Sequence, residues 1–305
     1  MTEGHKALTE AAALIDLSAR TRIRATGDDR ARLLHALTTN HIQQILPGHG
    51  CYAFFLNANG RVLSDANLLV FAEHILIDSE PEVHDALWAH LDHYIIADDV
   101  TLHDDTETTF CLGVEGPKSK EMLCAAGAPT PANDLAHERW MDLTVARASA
   151  TGAEGYRIFG PAERKRAVMD LLYLIEASTA DWEIVRLENA RPRYTIDFTA
   201  ANIAAETGQK HALHFQKGCY LGQEIVERVR SRGHINKQLV AMEFEGHIAP
   251  EPGADVLADM KATGEVTSSA YSPRLGKVRA LGYVRVPNDQ SGTVIEAEHI
   301  AGRVV

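Results

Sequence analysis

The 305-residue chain lacks any apolar run that approaches the roughly 20 residues needed to cross a membrane as a helix. Its N-terminal stretch also lacks a signal-peptide core, because the short apolar run after Glu10 ends at Asp16. Cysteine is scarce as well: there are four, and no two form a C-x-x-C pair, so neither a zinc knuckle nor a disulfide framework is supported. We therefore expect a cytoplasmic protein without membrane contact.

Positive charge is in short supply. The chain carries 30 Lys and Arg against 42 Asp and Glu, which gives a formal net charge of −12. Phosphate-rich partners require a positive field, so we expect no direct nucleic-acid partner. One local exception is a basic run between 228 and 237, which is either a solvated edge or an anion-binding patch. Its members are Arg228, Arg230, Arg232, His234 and Lys237.

Several common catalytic motifs are missing. The sequence has no G-x-G-x-x-G before a helix, no Walker loop and no G-x-S-x-G elbow, so dinucleotide, nucleotide-hydrolase and serine-hydrolase functions lack support. Two histidine pairs, at 90 and 93 and at 211 and 214, have a spacing that permits metal binding. We expect these histidines to be packed or solvated, and we predict no metal site.

The apolar periodicity predicts an α+β protein. Over 16–107 the order strand–helix–strand–strand–helix–strand is that of a split βαβ, ferredoxin-like unit, and a similar order recurs over 108–180. The second unit is predicted to end in one long helix over 161–176, and a poorly periodic segment then wraps over a surface. Short alternating runs from 236 to 305, split by Gly and Pro, predict a small β-barrel after a first region of 1–235.

Cys219 stands apart from the other cysteines. Cys51 and Cys111 lie in strand-like runs and Cys124 in the apolar end of a helix, so we expect these three in the core. Cys219 is flanked by glycines and comes just before a predicted helix. That helix N-terminus and Lys217 favour a thiolate, whereas the nearby Glu224 opposes one. Cys219 is therefore predicted to be the reactive thiol of the four.

The string around Cys219 resembles the K-G-C-Y-x-G-Q-E signature of YgfZ-type proteins, which are relatives of the glycine-cleavage T-protein. The matching residues are Lys217, Gly218, Cys219, Tyr220, Gly222, Gln223 and Glu224. Three further stretches follow the family's order. Residues 60–65 resemble its G-R-x-x-x-D turn, 113–118 its G-x-x-G-P loop, and 264–273 the C-terminal G-x-V-T-S…S-P.

This resemblance implies a T-protein-like fold with a folate pocket in the middle of a ring-like, three-part body. Asp65 matches an aspartate that in T-proteins lies close to folate and assists aminomethyl transfer, and a carboxylate is suited to bind pterin N–H groups. Cys219 and Asp65 are the predicted catalytic residues. The predicted ligand is tetrahydrofolate or a derivative, with or without a polyglutamate tail, and its predicted binding residues are Asp65, Tyr194, Asp197, Glu206 and Arg228.

Three functions remain open on the sequence. The first, implied by the K-G-C-Y-x-G-Q-E string, is a folate-binding accessory factor for iron–sulfur enzymes, including tRNA-modifying ones, with iron–sulfur client or assembly proteins as partners. The second, favoured by Asp65, is a tetrahydrofolate-dependent aminomethyl- or methyltransferase. The third is a scaffold that has lost folate binding, because Thr195, Ala200 and Ala204 stand where relatives carry glycine, an acidic residue and proline.

Overall fold

The computed structural model of the protein describes residues 1–233 and 235–305. From the basic run, His234 and the side chain of Arg232 lie outside the described residues. The helices are α1 (Glu3–Glu10), α2 (Arg30–Leu37), α3 (His84–Tyr94), α4 (Ser119–Ala125), α5 (Lys165–Leu172), α6 (Thr179–Glu188) and α7 (Gln223–Arg232). Short 3₁₀ turns occupy Pro81–Val83, Ala162–Arg164, Ala204–Thr207 and Lys210–Ala212.

The strands fall into three groups. Those of the first sheet are β2 (Thr21–Thr26), β3 (His49–Leu56), β4 (Val62–Val70), β5 (Ile75–Ser79) and β6 (Thr101–Asp104). Those of the second are β1 (Ala13–Asp16), β7 (Thr109–Glu115), β8 (His137–Trp140), β9 (Leu143–Ala146), β10 (Gly155–Pro161) and β11 (Ile175–Glu176). The C-terminal group is β12 (Lys237–Phe244), β13 (Asp255–Ala258), β14 (Lys261–Ser272), β15 (Lys277–Arg285), β16 (Val294–Ala297) and β17 (Ile300–Val304).

The first sheet has the strand order β3-β4-β5-β2-β6, with antiparallel pairing throughout. Its first strand, β2, thus lies between β5 and β6, which is the split βαβ arrangement expected from the sequence. One face packs on α2 and α3 through residues such as Ile23, Phe55 and Leu91, all fully buried. The other face carries Asp65 and Asn67 of β4, which line a cavity.

The second sheet has the order β11-β1-β7-β10-β9-β8 and recruits a strand from the N-terminus. Strand β1, which precedes the first sheet in sequence, pairs with β7 and, in parallel, with β11. The single helix predicted over 161–176 is wrong. Helix α5 ends at Leu172 because Tyr173 adopts a left-handed backbone, φ 48°, and Ile175 then pairs with Ala13.

The C-terminal strands close into a six-stranded barrel of order β12-β15-β14-β13-β16-β17. Its interior is filled by apolar side chains that include Met242, Phe244, Val266 and Val284. The α+β, T-protein-like fold class with a small C-terminal barrel is therefore confirmed. In the part of the chain that is described, no helix is both long and apolar enough to span a membrane.

The four cysteines differ in burial. Cys111 is buried and Cys51 is half-buried, while Cys219 is exposed. The prediction that Cys124 belongs to the core is wrong, because α4 turns this side chain outward and leaves it exposed. The helix is only seven residues long and buries Ser119 and Leu123 instead. Exposure alone therefore does not single out Cys219.

Candidate functional site

Asp65 lines a cavity of about 110 Å³ between the first sheet and the segment that follows α6. The hairpin of β3 and β4 places Tyr52 diagonally from Asp65, since Phe54 is the direct partner of Asp65 in the ladder. The Tyr52 hydroxyl donates to Asp65 Oδ2 at 2.7 Å. Trp182 and Arg191 contribute to the opposite wall. The cavity thus presents one carboxylate among aromatic rings and cations.

The second oxygen of that carboxylate is unsatisfied. Asp65 Oδ1 is buried and has no hydrogen-bond partner among the described residues. Burial, and then the neighbouring Glu80, raise the pKa of Asp65 to about 6, against the Tyr52 hydrogen bond and the charges of Arg20 and Arg191. A buried polar atom without a partner is costly, so a ligand that donates to it gains that energy. A carboxyl with a pKa near neutrality can also accept or donate a proton.

A network of buried ion pairs lies beside Asp65, and among the described residues Asp65 itself forms none of these pairs. Asp78 accepts from Arg20 Nε at 2.7 Å and pairs with Arg157. Burial raises the pKa of the Asp78 carboxyl, but Arg157 and Arg20 outweigh it and hold the pKa below its ordinary value. Glu80 pairs with Arg20 and accepts from Arg193 Nε at 2.8 Å. Both neighbouring carboxylates are therefore stabilised as anions, whereas Asp65 is not.

A second cavity, of about 360 Å³, adjoins the first. Tyr52, Asn67, Ser149 and Arg191 line both of them. The His211 ring stacks on Tyr52 at 5.1 Å between centroids, and the Arg191 guanidinium lies over the same Tyr52 ring at 5.5 Å. A volume of this size is in the range of small-molecule pockets, which run from about 300 to 1,000 Å³. Together the two cavities offer polar anchors at one end and flat rings for packing.

The loop that carries Cys219 is attached to the end of α2. The Lys217 ammonium donates to the carbonyl oxygen of His35, in the last turn of that helix, and to that of Thr38, just after it. It also lies over the Tyr220 ring, 4.8 Å from the centroid. Burial lowers the pKa of Lys217 to about 7, with Cys51 acting in the opposite sense. Lys217 therefore fastens the loop; its predicted influence on the Cys219 thiol stays a prediction.

The backbone of the loop explains why two glycines are present. Gly218 has φ 89° and Gly222 has φ 80°, both in the left-handed region that disfavours side chains. A Cβ at Gly222 would also lie 2.6 Å from the carbonyl oxygen of Asn57, on the turn between β3 and β4. The Gln223 side chain then accepts from the Tyr220 N–H at 3.3 Å. The loop is thus pressed against the hairpin that carries Asp65, with Cys219 on the outside.

The remaining predicted ligand residues have partners of their own. The Tyr194 hydroxyl donates to the carbonyl oxygen of Val62 at 2.9 Å. Asp197 is fully buried: its carboxylate accepts from Arg186 on α6 at 2.7 Å and from Thr267 of the barrel at 2.8 Å. It therefore joins the wrapping segment, α6 and β14. The structure does not bring Tyr194 or Asp197 into the set of described residues that line the Asp65 cavity.

Two other predicted binding residues also lie away from that cavity wall. Glu206 accepts from the Ile203 N–H at 3.2 Å, within a short 3₁₀ turn. Arg228 is exposed on α7, two residues before Arg230, which covers the Phe215 ring at 4.6 Å. Neither residue is among the described residues that line the two adjoining cavities. Their contact with a ligand stays a prediction.

Sequence reasoning missed Tyr52 and Arg191, which contact or face Asp65. The signal for Tyr52 was present in the hairpin: counting back from the turn at Asn57–Gly60 places residue 52 opposite residue 65, and a register shift next to Phe55 makes the pair diagonal in the structure. Arg191 had no such signal, since it lies in the aperiodic segment after α6. Among the described residues, no cluster of three or more His, Cys, Asp or Glu is arranged to hold a metal ion.

Comparisons with known proteins agree with this architecture. The GCVT N-terminal domain matches residues 1–217 and the glycine cleavage T-protein C-terminal barrel domain matches residues 237–305. The chain belongs to the glycine cleavage T-protein family. It is 29% identical to an aminomethyltransferase of Streptomyces coelicolor, over 95% of this chain and 83% of the relative. It is 28% identical to a putative transferase of Arabidopsis thaliana chloroplasts, over 95% of this chain and 69% of the relative.

A solved structure gives the same result for the fold. The aminomethyltransferase T of the glycine cleavage system from Bartonella henselae superposes with a TM-score of 0.92 at 20% identity. The match covers 99% of this chain and 87% of that one. These comparisons place the chain in the superfamily expected from its motifs, while the YgfZ-type subgroup stays a prediction.

Proposed function

We propose that the protein binds tetrahydrofolate or a one-carbon derivative in the Asp65 cavity and acts as a folate-dependent one-carbon transferase of the aminomethyltransferase type. The observation that carries this proposal is the unsatisfied Asp65 Oδ1 beside a cavity lined with aromatic rings. Carboxylate oxygens accept from pterin N–H groups, and Tyr52 and Trp182 offer rings for packing. The names of the relatives support the same class of chemistry.

The residues that line the Asp65 cavity fit a folate ligand. Asp65 would accept from its N–H groups, Tyr52 would hold the Asp65 carboxylate in place, and Arg191 would keep part of the negative charge of a folate near the Tyr52 ring. Folate supplies a carrier for a one-carbon unit. With a pKa of about 6, Asp65 is suited to take up or return a proton at the ligand during transfer. The cavity wall excludes bulk water from that carboxylate.

Calorimetry with tetrahydrofolate and its 5-formyl derivative tests the binding. We expect saturable heat from the native protein and a loss of about tenfold or more in affinity for Asp65→Asn, because a hydrogen bond to a charged group is worth about 1.5–3 kcal/mol. Asp170→Asn, on the exposed side of α5, is the matched control and should bind as the native protein does. No binding at millimolar folate would contradict the proposal and favour a scaffold without folate.

A second candidate function is favoured by the display of Cys219. Its thiol is exposed on a loop that Lys217 fastens to α2 and that two glycines shape. We propose that, in this alternative, the folate-loaded protein acts in the cytoplasm as an accessory factor that supports iron–sulfur enzymes, including tRNA-modifying ones. Cys219 would then react with a group carried by an iron–sulfur client or assembly protein.

Two measurements separate the candidates. A transferase should form methylene-tetrahydrofolate from an aminomethylated lipoyl carrier, with a rate that falls in Asp65→Asn and not in Cys219→Ser. An accessory factor should restore iron–sulfur enzyme activity in cells that lack the protein, and Cys219→Ser should fail to do so. Cys124→Ser is the control, since Cys124 is also exposed. Full complementation by Cys219→Ser would leave the transferase as the proposal.

The basic run of α7 adds a prediction about the tail of the ligand. Arg228 and Arg230 are exposed on this helix, which packs against the hairpin of Asp65 through Ile225 at Gly60. We propose that these cations hold the anionic polyglutamate tail of the folate. Contacts of this kind weaken as salt rises. Polyglutamylated folate should therefore bind more tightly than the monoglutamate at low salt, and Arg228→Gln should reduce the difference.

A further inference from the structure

A groove of about 450 Å³ lies between the outer face of the barrel and the segment that follows Ile196. It is separate from the Asp65 cavity in its lining residues. Besides the buried Asp197, which pairs with Arg186, two pairs of charged residues line it: Asp255 and Glu265 on one side, Lys237 and Arg285 on the other. None of the four has a place in the function proposed above for Asp65.

The strand register sets like charges directly opposite each other. Asp255 on β13 is the cross-strand partner of Glu265 on β14. Lys237 on β12 is the partner of Arg285 on β15. Side chains of direct partners share one face of a sheet, and like charges in that position repel each other. Both pairs are therefore unfavourable for the folded state when nothing is bound.

Counter-ions for these pairs are absent from the described part of the chain. Within 4.0 Å, none of the four residues forms an ion pair there. Glu243 of the same barrel shows the opposite pattern, since it pairs with Lys277, Arg279 and Arg303. Two of those partners, Arg279 and Arg303, lie directly across from it on neighbouring strands. Cations of the barrel thus neutralise the charge of Glu243, whereas the charges of the four groove residues are not neutralised in this way.

Tyr283 lies between the two pairs. It is the cross-strand partner of Glu265 and stands two residues before Arg285 on the same face. The Lys237 ammonium lies over its ring, 4.4 Å from the centroid, which holds the cation against the groove wall. The Tyr283 hydroxyl is buried and has no hydrogen-bond partner among the described residues. The groove therefore has an acidic end, a basic end and an aromatic floor.

We propose that this groove binds a small zwitterion, an amino-carboxylate whose ammonium lies at Asp255 and Glu265 and whose carboxylate lies at Lys237 and Arg285. The acidic pair spans β13 and β14 and the basic pair spans β15 and β12. Their centres are thus two strand spacings apart across the sheet and two residues apart along the strands, about 12 Å in all. That distance suits a ligand whose two charges are separated by a chain of several methylenes, and its chain would pack on the Tyr283 ring.

Titration of the full chain with 6-aminohexanoate tests the proposal, with hexanoate and hexylamine as probes that carry only one of the two charges. At low salt we expect saturable binding of 6-aminohexanoate at least tenfold tighter than of either control. Glu265→Gln and Lys237→Gln should each weaken it at least fivefold. Lys120→Gln, on the exposed side of α4, should leave it unchanged.

The same titration on Asp65→Asn keeps this site distinct from the folate cavity, since that variant should bind 6-aminohexanoate as the native protein does. Failure of folate binding would therefore leave the groove untouched, and the reverse also holds. Equal affinity for the three probes would overturn the proposal, as would undiminished binding in Glu265→Gln and Lys237→Gln. Absence of saturable binding of 6-aminohexanoate up to about 10 mM would overturn it too.

Discussion

The Asp65 cavity and the Cys219 loop lie against the same hairpin of β3 and β4. They differ in whether unfavourable backbone conformations and unpaired polar atoms are retained. The loop has glycine at each of its two left-handed positions, Gly218 and Gly222, and its lysine has carbonyl partners. The cavity keeps a carboxylate oxygen without a partner. Beside it, the wrapping segment holds Thr195 at φ 71°. This contrast supports the ligand-binding role proposed for the cavity and the role proposed for the exposed Cys219.

The largest expected difference between the two regions is in thiol reactivity. Burial raises the pKa of Cys51, which lines the second cavity, to about 12, and also that of Cys111. Since the thiolate is the reactive form, Cys51 should be alkylated about 10³-fold more slowly at neutral pH than an ordinary exposed thiol. Cys219 is exposed and should be labelled before Cys51 and Cys111.

Timed alkylation with peptide mapping measures this order. Cys124 is the internal control, because it is exposed but lies on α4, away from the loop. Labelling of Cys219 faster than Cys124 would mean that the loop activates its thiol beyond exposure alone. Labelling of Cys219 as slow as Cys51 would show that the loop conceals it, and the accessory function proposed for it would lose its basis.

Among the substitutions considered, those at the glycines of the Cys219 loop should lower the free energy of unfolding the most. Gly222→Ala places a Cβ at φ 80° and 2.6 Å from the Asn57 carbonyl oxygen, so we expect a loss of about 3 kcal/mol in the free energy of unfolding. Gly218→Ala is the matched variant: it has φ 89° but open space around its Cβ, and should lose only about 1–2 kcal/mol. Denaturant unfolding gives both values. Equal losses would mean that contact with the hairpin does not matter.

Removing the charge of Asp65 should stabilise the protein. Its folded-state pKa of about 6 lies above the ordinary 3.8, so the native state binds more protons than the unfolded state between these pH values, and native stability falls as pH rises through them. Asp65→Asn should therefore gain up to about 3 kcal/mol over the native protein above pH 6 and lose that gain below pH 4. Unfolding curves at pH 4 and pH 7.5 measure it. A gain that does not depend on pH would exclude the carboxylate as its source.

Part of the candidate site could be predicted from the sequence, and there is a physical reason why the rest could not. The resemblance of residues 60–65 and 217–224 to family motifs pointed to Asp65 and Cys219, and their roles stay predictions. Tyr194 and Asp197 were placed with the ligand on the same reasoning, but long-range partners engage their polar atoms: Val62 for the first, Arg186 and Thr267 for the second. Local pattern does not reveal such partners.

The fold shows the same limit. The strands of the first sheet and five of the six barrel strands were predicted within a few residues, whereas the last barrel strand, β17, was not predicted. Strand β1 is four residues long and owes its existence to β7 and β11, which lie far away in sequence. The error over 161–176 has a similar origin, since Ile175 leaves the helical pattern to pair with Ala13. Pairing at long range, and not propensity, decided both elements.

The smallest expected effect concerns strain next to the cavity. Thr195 is β-branched and has φ 71°, a conformation that costs an L-residue about 1–2 kcal/mol. Glycine adopts it freely but loses about 0.5–1 kcal/mol through the entropy of the unfolded chain, so Thr195→Gly should raise the free energy of unfolding by about 0.5–1 kcal/mol. Ala200→Gly, in the same segment at a residue without positive φ, is the control and should lower it. A loss of stability in Thr195→Gly would mean that contacts of the threonine side chain stabilise the fold by more than its backbone strain costs. Thr195 would then contribute no net strain to the wrapping segment.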